Sequence, residues 1–231
     1  MKQLRCDAVI FDLDGVLIDS MAVIERHWRR WAIQHNLDAA EIMRVAHGRR
    51  TVETIRLVAP HLNAEVEAAR FEADEAVDTD GLVRIDGAAR LVRSLPRGSW
   101  AVATSGTRDV AMTRLRYTGL PMPTVLVTAD DVKRGKPDPE AYLLASERLG
   151  IVPEGCIVVE DAPAGVEAAH AGGMRVIAVA TTHGQEKLES ANTVVAYLSD
   201  IEILPTSYEP SSSERLSNAP MYLTVRCVAC R

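Results

Sequence analysis

The sequence is short of three things: cysteine, long apolar runs and excess positive charge. Its four cysteines, Cys6, Cys156, Cys227 and Cys230, are too few and too scattered for the disulfide framework of a small secreted protein. No stretch reaches the roughly twenty apolar residues that a membrane span requires, and Asp7 interrupts the apolar run near the N-terminus. We therefore expect a cytoplasmic protein that has no membrane partner.

The charge balance argues against nucleic acid as a partner. Lysine and arginine number 26 against 32 aspartate and glutamate residues, which gives a formal net charge of -6 at pH 7. Such a chain lacks the long-range positive field that draws proteins to phosphate polyanions, so an anionic substrate would need a local positive site. The 231 residues, 47% of them hydrophobic, are enough for one or two globular domains with a buried core.

The hydrophobic pattern changes twice along the chain. An apolar run at residues 8–11 predicts a buried strand that ends at Asp12. From Asp19 to about Val83 the apolar residues follow helical spacing with no strand-like run. Beyond Gly87 helices alternate with strands, which is typical of repeated βαβ units and a parallel sheet. The predicted helices are 88–95, 110–117, 140–149 and 165–171, and the predicted strands are 100–104, 124–128, 156–159 and 175–180.

These patterns predict an α/β protein with a doubly wound, parallel-sheet, Rossmann-like core formed by residues 1–18 and 86–204. A small all-helical domain, residues 19–85, is expected to be inserted after the first strand, and we name it the cap. Residues 205–231, which begin Ser- and Pro-rich, are expected to form a mobile tail. Cys227 and Cys230 in this tail have C-x-x-C spacing, but without a second pair to complete a zinc site we interpret them as incidental.

Polar residues at the predicted strand ends are the candidates for a functional site. In parallel α/β sheets the ligand crevice lies outside the carboxyl ends of the strands. Four strand ends or following loops carry such residues: Asp12 and Asp14, Thr104 to Gly106, Lys136, and Glu160 with Asp161. Four carboxylates cannot share one crevice at pH 7 unless positive charge offsets their repulsion. Lys136 and a divalent cation could supply that charge, and ligands with only oxygen donors suit Mg2+.

Asp12 and Asp14 are the pair that suggests a reaction. They are two residues apart, so in an extended chain their side chains leave the same face, and Gly15 permits the sharp turn that follows. One carboxylate could attack phosphorus while the other protonates the leaving oxygen and later takes a proton from water. A single strand-end aspartate could equally be a turn or helix cap. The whole set of residues favours phosphoryl transfer.

These segments together resemble the four motifs of the haloacid dehalogenase superfamily, in the order and spacing of its phosphatase branch. The segments are Phe11 to Leu17, Thr104 to Gly106, Lys136-Pro137 and Glu160 to Gly165. The helical insertion resembles the small cap of the β-phosphoglucomutase-like group. Residues 100–109 and 131–137 look closer still to the glycerol-phosphate, 2-deoxyglucose-6-phosphate and bacterial hexose-phosphate phosphatases.

The resemblance implies a role for each of these core residues. Asp12 would be the nucleophile that forms an aspartyl-phosphate, and Asp14 the general acid and base. Thr104 would hydrogen-bond a phosphoryl oxygen, and Lys136 would neutralise both the nucleophile and the transferring group. The further implied roles are substrate-binding backbone amides at Ser105 and Gly106, and a Mg2+ site formed by Asp12, the backbone carbonyl of Asp14, Glu160 and Asp161.

Substrate selection is expected in the cap, because the core sees mainly the phosphate group that all substrates share. His47, Arg49 and Arg50 stand beside Gly48 between two predicted helices, and they resemble the His-Gly-x-Arg segment of the glycerol- and deoxyglucose-phosphate phosphatases. The two arginines could anchor a phosphate or clamp sugar hydroxyls. The alternative is a helix-linking turn with solvated arginines, and His47 could instead cap a helix or support a ligand from behind.

The sequence thus predicts a Mg2+-dependent phosphatase of small phosphorylated sugars or polyols, a monomer or weak dimer whose partner is a small phosphorylated metabolite. A sugar phosphomutase of the β-phosphoglucomutase type is the first alternative. The resemblance places a cap histidine at residue 24 in the mutases, and this chain has Ile24, with His27 three residues further on. A non-catalytic sugar-phosphate-binding module is the second alternative. It is disfavoured because an idle site has no physical need for so many mutually repelling carboxylates.

Overall fold

The computed structural model describes residues 2–204 and 223–228, which contain eleven strands and eight α-helices. The strands are β1 (Lys2–Cys6), β2 (Ala8–Phe11), β3 (Ile18–Asp19), β4 (Val83–Arg84), β5 (Trp100–Ala103), β6 (Val125–Val127), β7 (Cys156–Glu160), β8 (Arg175–Val179), β9 (Thr193–Val195), β10 (Ile201–Leu204) and β11 (Leu223–Cys227). The helices are α1 (Met21–His35), α2 (Ala39–Ala46), α3 (Thr51–Val58), α4 (Ala64–Glu75), α5 (Ala88–Ser94), α6 (Arg108–Tyr117), α7 (Glu140–Leu149) and α8 (Pro163–Ala171).

A six-stranded parallel sheet forms the centre of the core. Its strand order is β6-β5-β2-β7-β8-β9, so the first predicted strand, β2, lies between β5 and β7. Alternate residues of β2 enter two apolar clusters, one on each face of the sheet. Val9 and Phe11 pack with residues of α5 and α6, while Ala8 and Ile10 pack with residues of α7 and α8. Helices therefore cover both faces, and the predicted doubly wound α/β core is confirmed.

The chain between β3 and β4 folds as four helices, α1 to α4, with an apolar cluster of their own. This cluster includes Trp28, Trp31 and Phe71, and the ring centroids of Trp28 and Phe71 are 4.4 Å apart. The short strands β3 and β4 pair with each other where the chain enters and leaves this helical unit. None of the helices in the described parts of the chain is both long and apolar enough to cross a membrane.

The C-terminal region departs from the expected mobile tail. Residues 205–222 and 229–231, and with them Cys230 of the C-x-x-C pair, lie outside the described residues. The segment Leu223–Cys227 forms β11, the middle strand of an antiparallel sheet in the order β1-β11-β10. The expectation is wrong for this segment because its residues alternate with a period of two: Leu223, Val225 and Cys227 are buried in the core, and the residues between them are half-buried.

We expect Val225→Ala to lower the free energy of unfolding by about 1.5–3 kcal/mol, because a buried valine loses two methyl groups of packing. Val225 is 1% exposed and lies opposite Leu4 in β1 and Ile203 in β10. The matched control is Val228→Ala, which is 47% exposed and should change stability by less than about 0.5 kcal/mol. Urea unfolding followed by circular dichroism measures both variants. Equal effects would show that β11 does not stabilise the core.

Candidate active site

Asp12 directly follows strand β2 and lies in a crevice at the carboxyl edge of the central sheet. The Asp12 backbone N–H donates to the Val159 carbonyl of β7 at 3.0 Å, so Asp12 lies next to the end of that strand. The chain then turns at Gly15, whose φ is +78°. A Cβ at this position would overlap the Asp161 carboxylate, so the turn and the close approach both require glycine.

Lys136 is buried at the centre of an acidic group. Its Nζ donates to Asp12 Oδ1 at 2.6 Å and to Glu160 Oε1 at 2.7 Å, and the residue is 1% exposed. Burial acts to lower the pKa of Lys136, but the Asp12 and Glu160 carboxylates outweigh burial and raise that pKa well above its ordinary value. Lys136 is therefore a fixed positive charge beside the predicted nucleophile.

Glu160 holds Lys136 in place. Its Oε1 accepts hydrogen bonds from Lys136 Nζ and, at 2.8 Å, from the Tyr142 hydroxyl. Its Oε2 accepts from the backbone N–H groups of Asp161 and Ala162 at 2.7 and 2.8 Å. Burial acts to raise the pKa of Glu160, but Lys136 and these donors outweigh it and lower that pKa. The four bonds use the roughly four acceptor positions of a carboxylate, so the predicted ligation of a metal by Glu160 would require one of them to be replaced.

The acidic residues fit a divalent cation that prefers oxygen ligands. Carboxylate oxygens of Asp12, Glu160 and Asp161 lie within 4.8 Å of one another, and all three residues are buried. Burial raises the pKa of Asp12 more than Lys136 lowers it. The positive charge of one ammonium group thus does not balance the negative charge of three buried carboxylates. A hard cation such as Mg2+ would supply the missing positive charge to this all-oxygen donor set.

The end of β5 contributes the predicted phosphate-binding segment. Thr104, Ser105 and Gly106 line the same pocket as Asp12 and Asp14. The Thr104 hydroxyl accepts a hydrogen bond from the Gly106 backbone N–H at 3.1 Å, which shapes the turn before α6. The Ser105 hydroxyl donates to the Gly48 carbonyl of the cap at 2.8 Å. The Ser105 side chain therefore joins the core to the cap, in addition to the backbone role predicted for this residue.

Asp14 contacts a different set of residues from Asp12. Its Oδ1 accepts from the Ser20 hydroxyl and its Oδ2 from Arg114 Nη1, each at 2.7 Å. Arg114 Nη2 donates to Glu75 Oε1 of the cap, also at 2.7 Å. Arg114 and Glu75 both line the pocket, and neither was predicted from the sequence. The signal that could have found Arg114 is a charged residue on a helix face that is otherwise apolar: Val110, Ala111 and Leu115.

The two arginines of the cap loop are placed differently. Arg49 lines the pocket together with Thr104 and Asp14. Arg50 is directed to the core loop that precedes Lys136, where its Nη1 donates to the Lys133 carbonyl at 2.8 Å. The structure therefore brings Arg49 to the site and uses Arg50 to tie the cap to the core.

Two histidines meet beside Asp161. His47 Nε2 lies 3.3 Å from Asp161 Oδ2; burial acts to lower the pKa of His47, but this hydrogen bond outweighs burial and raises it. Of the roles considered for His47, the contact corresponds to support of a ligand from behind. The His183 ring lies 5.1 Å from the His47 ring, centroid to centroid, and no sequence pattern pointed to His183. His183 follows β8 of the same parallel sheet, so the rule of strand ends could have found it.

The fold and the site define an α/β protein with a buried acidic centre beside a pocket, and comparison with known proteins identifies its family. Residues 6–173 match the haloacid dehalogenase-like hydrolases, described as "Hydrolase: haloacid dehalogenase-like hydrolase". Because this match covers more than half of the chain, the protein belongs to that family.

Similar proteins include named phosphatases. Hexitol phosphatase A of Escherichia coli (strain K12) is 41% identical over 205 residues, which cover 87% of this chain and 95% of the relative. Glycerol-1-phosphate phosphohydrolase 2 of Saccharomyces cerevisiae is 37% identical over 191 residues, 78% of this chain and 76% of the relative.

Solved structures share the fold. A hydrolase from Pseudomonas syringae matches with a TM-score of 0.73 at 25% identity, covering 84% of this chain and 94% of that one. The β-phosphoglucomutase from Clostridium difficile matches with a TM-score of 0.71 at 22% identity, covering 84% of this chain and 92% of that one. Phosphatases and a mutase are thus built on this architecture, and the fold does not by itself separate the two activities.

We expect Lys136→Met to lower the free energy of unfolding at pH 7 by about 3–5 kcal/mol, because it leaves buried carboxylates without their cation. Without Lys136, the pKa of Asp12, already raised in the folded protein, rises further, and the pKa of Glu160 loses the main interaction that lowers it. The folded variant then binds protons that the unfolded chain releases, so its deficit relative to the unsubstituted protein should be complete at high pH and shrink as the pH falls.

Chemical denaturation at pH 5 and pH 7, with EDTA present, measures this deficit. Lys133→Met is the matched control, since Lys133 is an exposed lysine three residues away, and it should change stability by less than about 0.5 kcal/mol. A Lys136→Met variant as stable as the Lys133→Met variant at pH 7 would contradict the charge compensation.

Proposed function

We propose that the protein is a Mg2+-dependent phosphatase that hydrolyses small phosphorylated sugars or polyols through an aspartyl-phosphate. The observation that carries the proposal is the meeting of Asp12, Lys136 and Asp161 at the adjacent ends of β2 and β7, with Asp14 lining the same pocket. A carboxylate nucleophile, a fixed positive charge and a second carboxyl group for proton transfer are what this chemistry requires. The family and the named activities of the relatives support it.

Hydrolysis would proceed by two displacements. An oxygen of Asp12 attacks phosphorus, the bond from phosphorus to the leaving oxygen breaks, and the Asp14 carboxyl group gives that oxygen its proton. Water then attacks phosphorus, the bond to Asp12 breaks, and Asp14 takes the proton that the water loses. Asp12, Asp161 and the Asp14 backbone carbonyl would hold Mg2+, which supplies positive charge against the phosphoryl oxygens when it is bound. Lys136 neutralises the nucleophile and the transferring group in both steps.

The phosphoryl group would lie at the end of β5. Thr104, Ser105 and Gly106 line the pocket, and a threonine hydroxyl and backbone N–H groups are donors of the kind that stabilise charge on phosphoryl oxygens. Such donors would contact only the phosphate group, which all candidate substrates share, so they favour no particular substrate.

The cap side of the pocket favours a small hydroxylated leaving group. The pocket lies between cap and core, and residues of both line it. Its wall mixes groups that could bind hydroxyls with groups that could contact the carbon skeleton. The polar residues include Arg49, Thr51 and Glu75, and the apolar ones include Ile24, Trp28 and Phe71. This mixture, together with the hexitol and glycerol phosphatases among the relatives, supports a sugar or polyol phosphate as substrate.

Hydrolysis is favoured over the phosphomutase alternative by what lies at residue 24. Ile24 lines the pocket at the position where the resemblance places a histidine in the mutases. His27, the neighbouring histidine, is buried, and its Nε2 lies 2.9 Å from Asp78 Oδ2 of the cap. The His27 side chain thus contacts a carboxylate within the cap. Incubation with glucose 1-phosphate should yield free phosphate, and an isomerised sugar phosphate as main product would support the mutase.

We expect Asp12→Asn to reduce phosphate release from glycerol 1-phosphate and hexitol phosphates by at least about 10³-fold, because an amide cannot act as the nucleophile. Phosphate release is measured with and without Mg2+, and EDTA should abolish the activity of the unsubstituted protein until Mg2+ is restored. Asp109→Asn, the same change at an exposed position of α6, is the control and should leave activity intact. If pure Asp12→Asn protein turned over substrate at the rate of the unsubstituted protein, the assignment of Asp12 as the nucleophile would be wrong.

The placement of the two cap arginines predicts different effects on selectivity. Arg49→Ala should lower kcat/KM for a polyol phosphate about 10- to 100-fold, the cost of one or two lost charged hydrogen bonds, and affect p-nitrophenyl phosphate less. Arg50→Ala removes a contact between cap and core, so it should affect both substrates to the same extent. Steady-state kinetics on the two esters checks this. An Arg49→Ala variant that loses both activities equally would show that Arg49 does not select substrates.

A further inference from the structure

Arg114 is a buried charged residue of the pocket that has no part in the steps described above. It lies in α6 of the core and is 4% exposed. Its two hydrogen bonds of 2.7 Å join Asp14 to Glu75. Glu75 is the last residue of α4, belongs to the cap and is 8% exposed. One guanidinium group therefore connects the predicted general acid of the core to a carboxylate of the cap.

This connection fixes the Asp14 carboxyl group in space. Hydrogen bonds from a planar guanidinium to carboxylates are strong and directional. Ser20, in the segment that leads from the core into the cap, donates to the other oxygen of Asp14 at 2.7 Å. Each Asp14 oxygen thus has one donor, and both donors come from groups whose positions depend on how cap and core meet.

Stability alone does not explain this arrangement. Burying an arginine with two carboxylates costs desolvation energy, and apolar residues of similar volume are often at least as stabilising. The position of Arg114 on the buried face of α6 would suit an apolar residue, as its neighbours Ala111 and Leu115 show. Unlike an apolar residue at the same position, the arginine controls where the Asp14 carboxyl group lies.

We propose that Arg114 is a positioning residue for proton transfer by Asp14, and that Glu75 makes this positioning depend on the cap. The inference rests on the proposed phosphatase function. Arg114 holds Asp14 in the pocket beside the leaving oxygen, and Glu75 holds Arg114 as long as α4 lies against α6. Movement of the cap away from the core removes Glu75 from Arg114, so the proton donor is fully fixed only when the pocket is closed.

The step affected is the first proton transfer. As the bond from phosphorus to oxygen breaks, the leaving oxygen takes the proton of the Asp14 carboxyl group, which becomes a carboxylate, and the attacking water later restores that proton. A leaving group that is stable as an anion departs readily without this proton, whereas a basic leaving group departs slowly unless it is protonated. Loss of Arg114 should therefore slow the reaction in proportion to the basicity of the leaving group.

Phenyl phosphate and p-nitrophenyl phosphate provide the test, since both lack leaving-group hydroxyls and are similar in size, while phenolate is much the more basic leaving group. With Mg2+ present, Arg114→Met should lower kcat for phenyl phosphate about 10- to 100-fold more than kcat for p-nitrophenyl phosphate. KM should stay within about threefold for both esters, because the phosphate contacts are intact. Glu75→Gln should also lower kcat more for phenyl phosphate than for p-nitrophenyl phosphate, but by a smaller factor than Arg114→Met. Arg114→Lys should retain more of the kcat for phenyl phosphate than Arg114→Met does.

Arg116→Met is the matched control, because Arg116 lies two residues along α6 and is exposed; it should leave both rates unchanged. Circular dichroism and thermal melting establish that the variants fold, and if Arg114→Met does not, Glu75→Gln is compared on the same two esters. Equal loss of kcat on both esters, no loss on either, or a loss confined to KM would overturn the positioning role. An unsubstituted protein that, with Mg2+, releases phosphate neither from these esters nor from a polyol phosphate would overturn the proposed function instead.

Discussion

The repulsion among buried carboxylates is the constraint on which the site depends. Asp12 and Asp161 lie with Glu160 at the adjacent ends of β2 and β7, where burial strengthens every interaction between charges. Lys136 offsets part of this repulsion and is itself held by Glu160 and Tyr142. The net negative charge that remains destabilises the cluster on its own, and the divalent cation of the proposed function would offset it.

Asp12 and Asp14 are separated by a single residue, yet the structure gives them different surroundings. Asp12 is buried beside Lys136 among other carboxylates, whereas Asp14 is bound by Ser20 and Arg114. Carboxyl groups with the same chemistry take different roles when their environments differ. In the proposed reaction the nucleophile would require positive charge beside it and the proton donor a defined direction toward the leaving oxygen, and the two sets of partners correspond to these two needs.

The core of the site could be predicted from the sequence because it follows from local rules. Buried apolar runs define the parallel strands, and the rule of carboxyl ends then brings Asp12, Lys136 and Asp161 to one edge. The missed features are contacts between distant segments: Glu75 with Arg114, Arg50 with the Lys133 carbonyl, and β11 with β1. No spacing pattern encodes these contacts. In β11 the alternation of apolar residues was visible in the sequence, but a preceding Ser- and Pro-rich stretch favoured the interpretation as a tail.

Several polar contacts between cap and core involve residues of the candidate site. Ser105 bonds to the Gly48 carbonyl, His47 lies against Asp161, and Arg114 bridges Asp14 to Glu75. Opening the cap would break these contacts and admit water to the buried charges, whereas closing it restores the contacts and strengthens the electrostatics by excluding water. In the proposed reaction a leaving group that fits beneath the cap would therefore favour the closed arrangement in which the core residues are fixed. Through this coupling, the helical unit that would contact the variable part of the substrate would also control the chemistry performed on the phosphate.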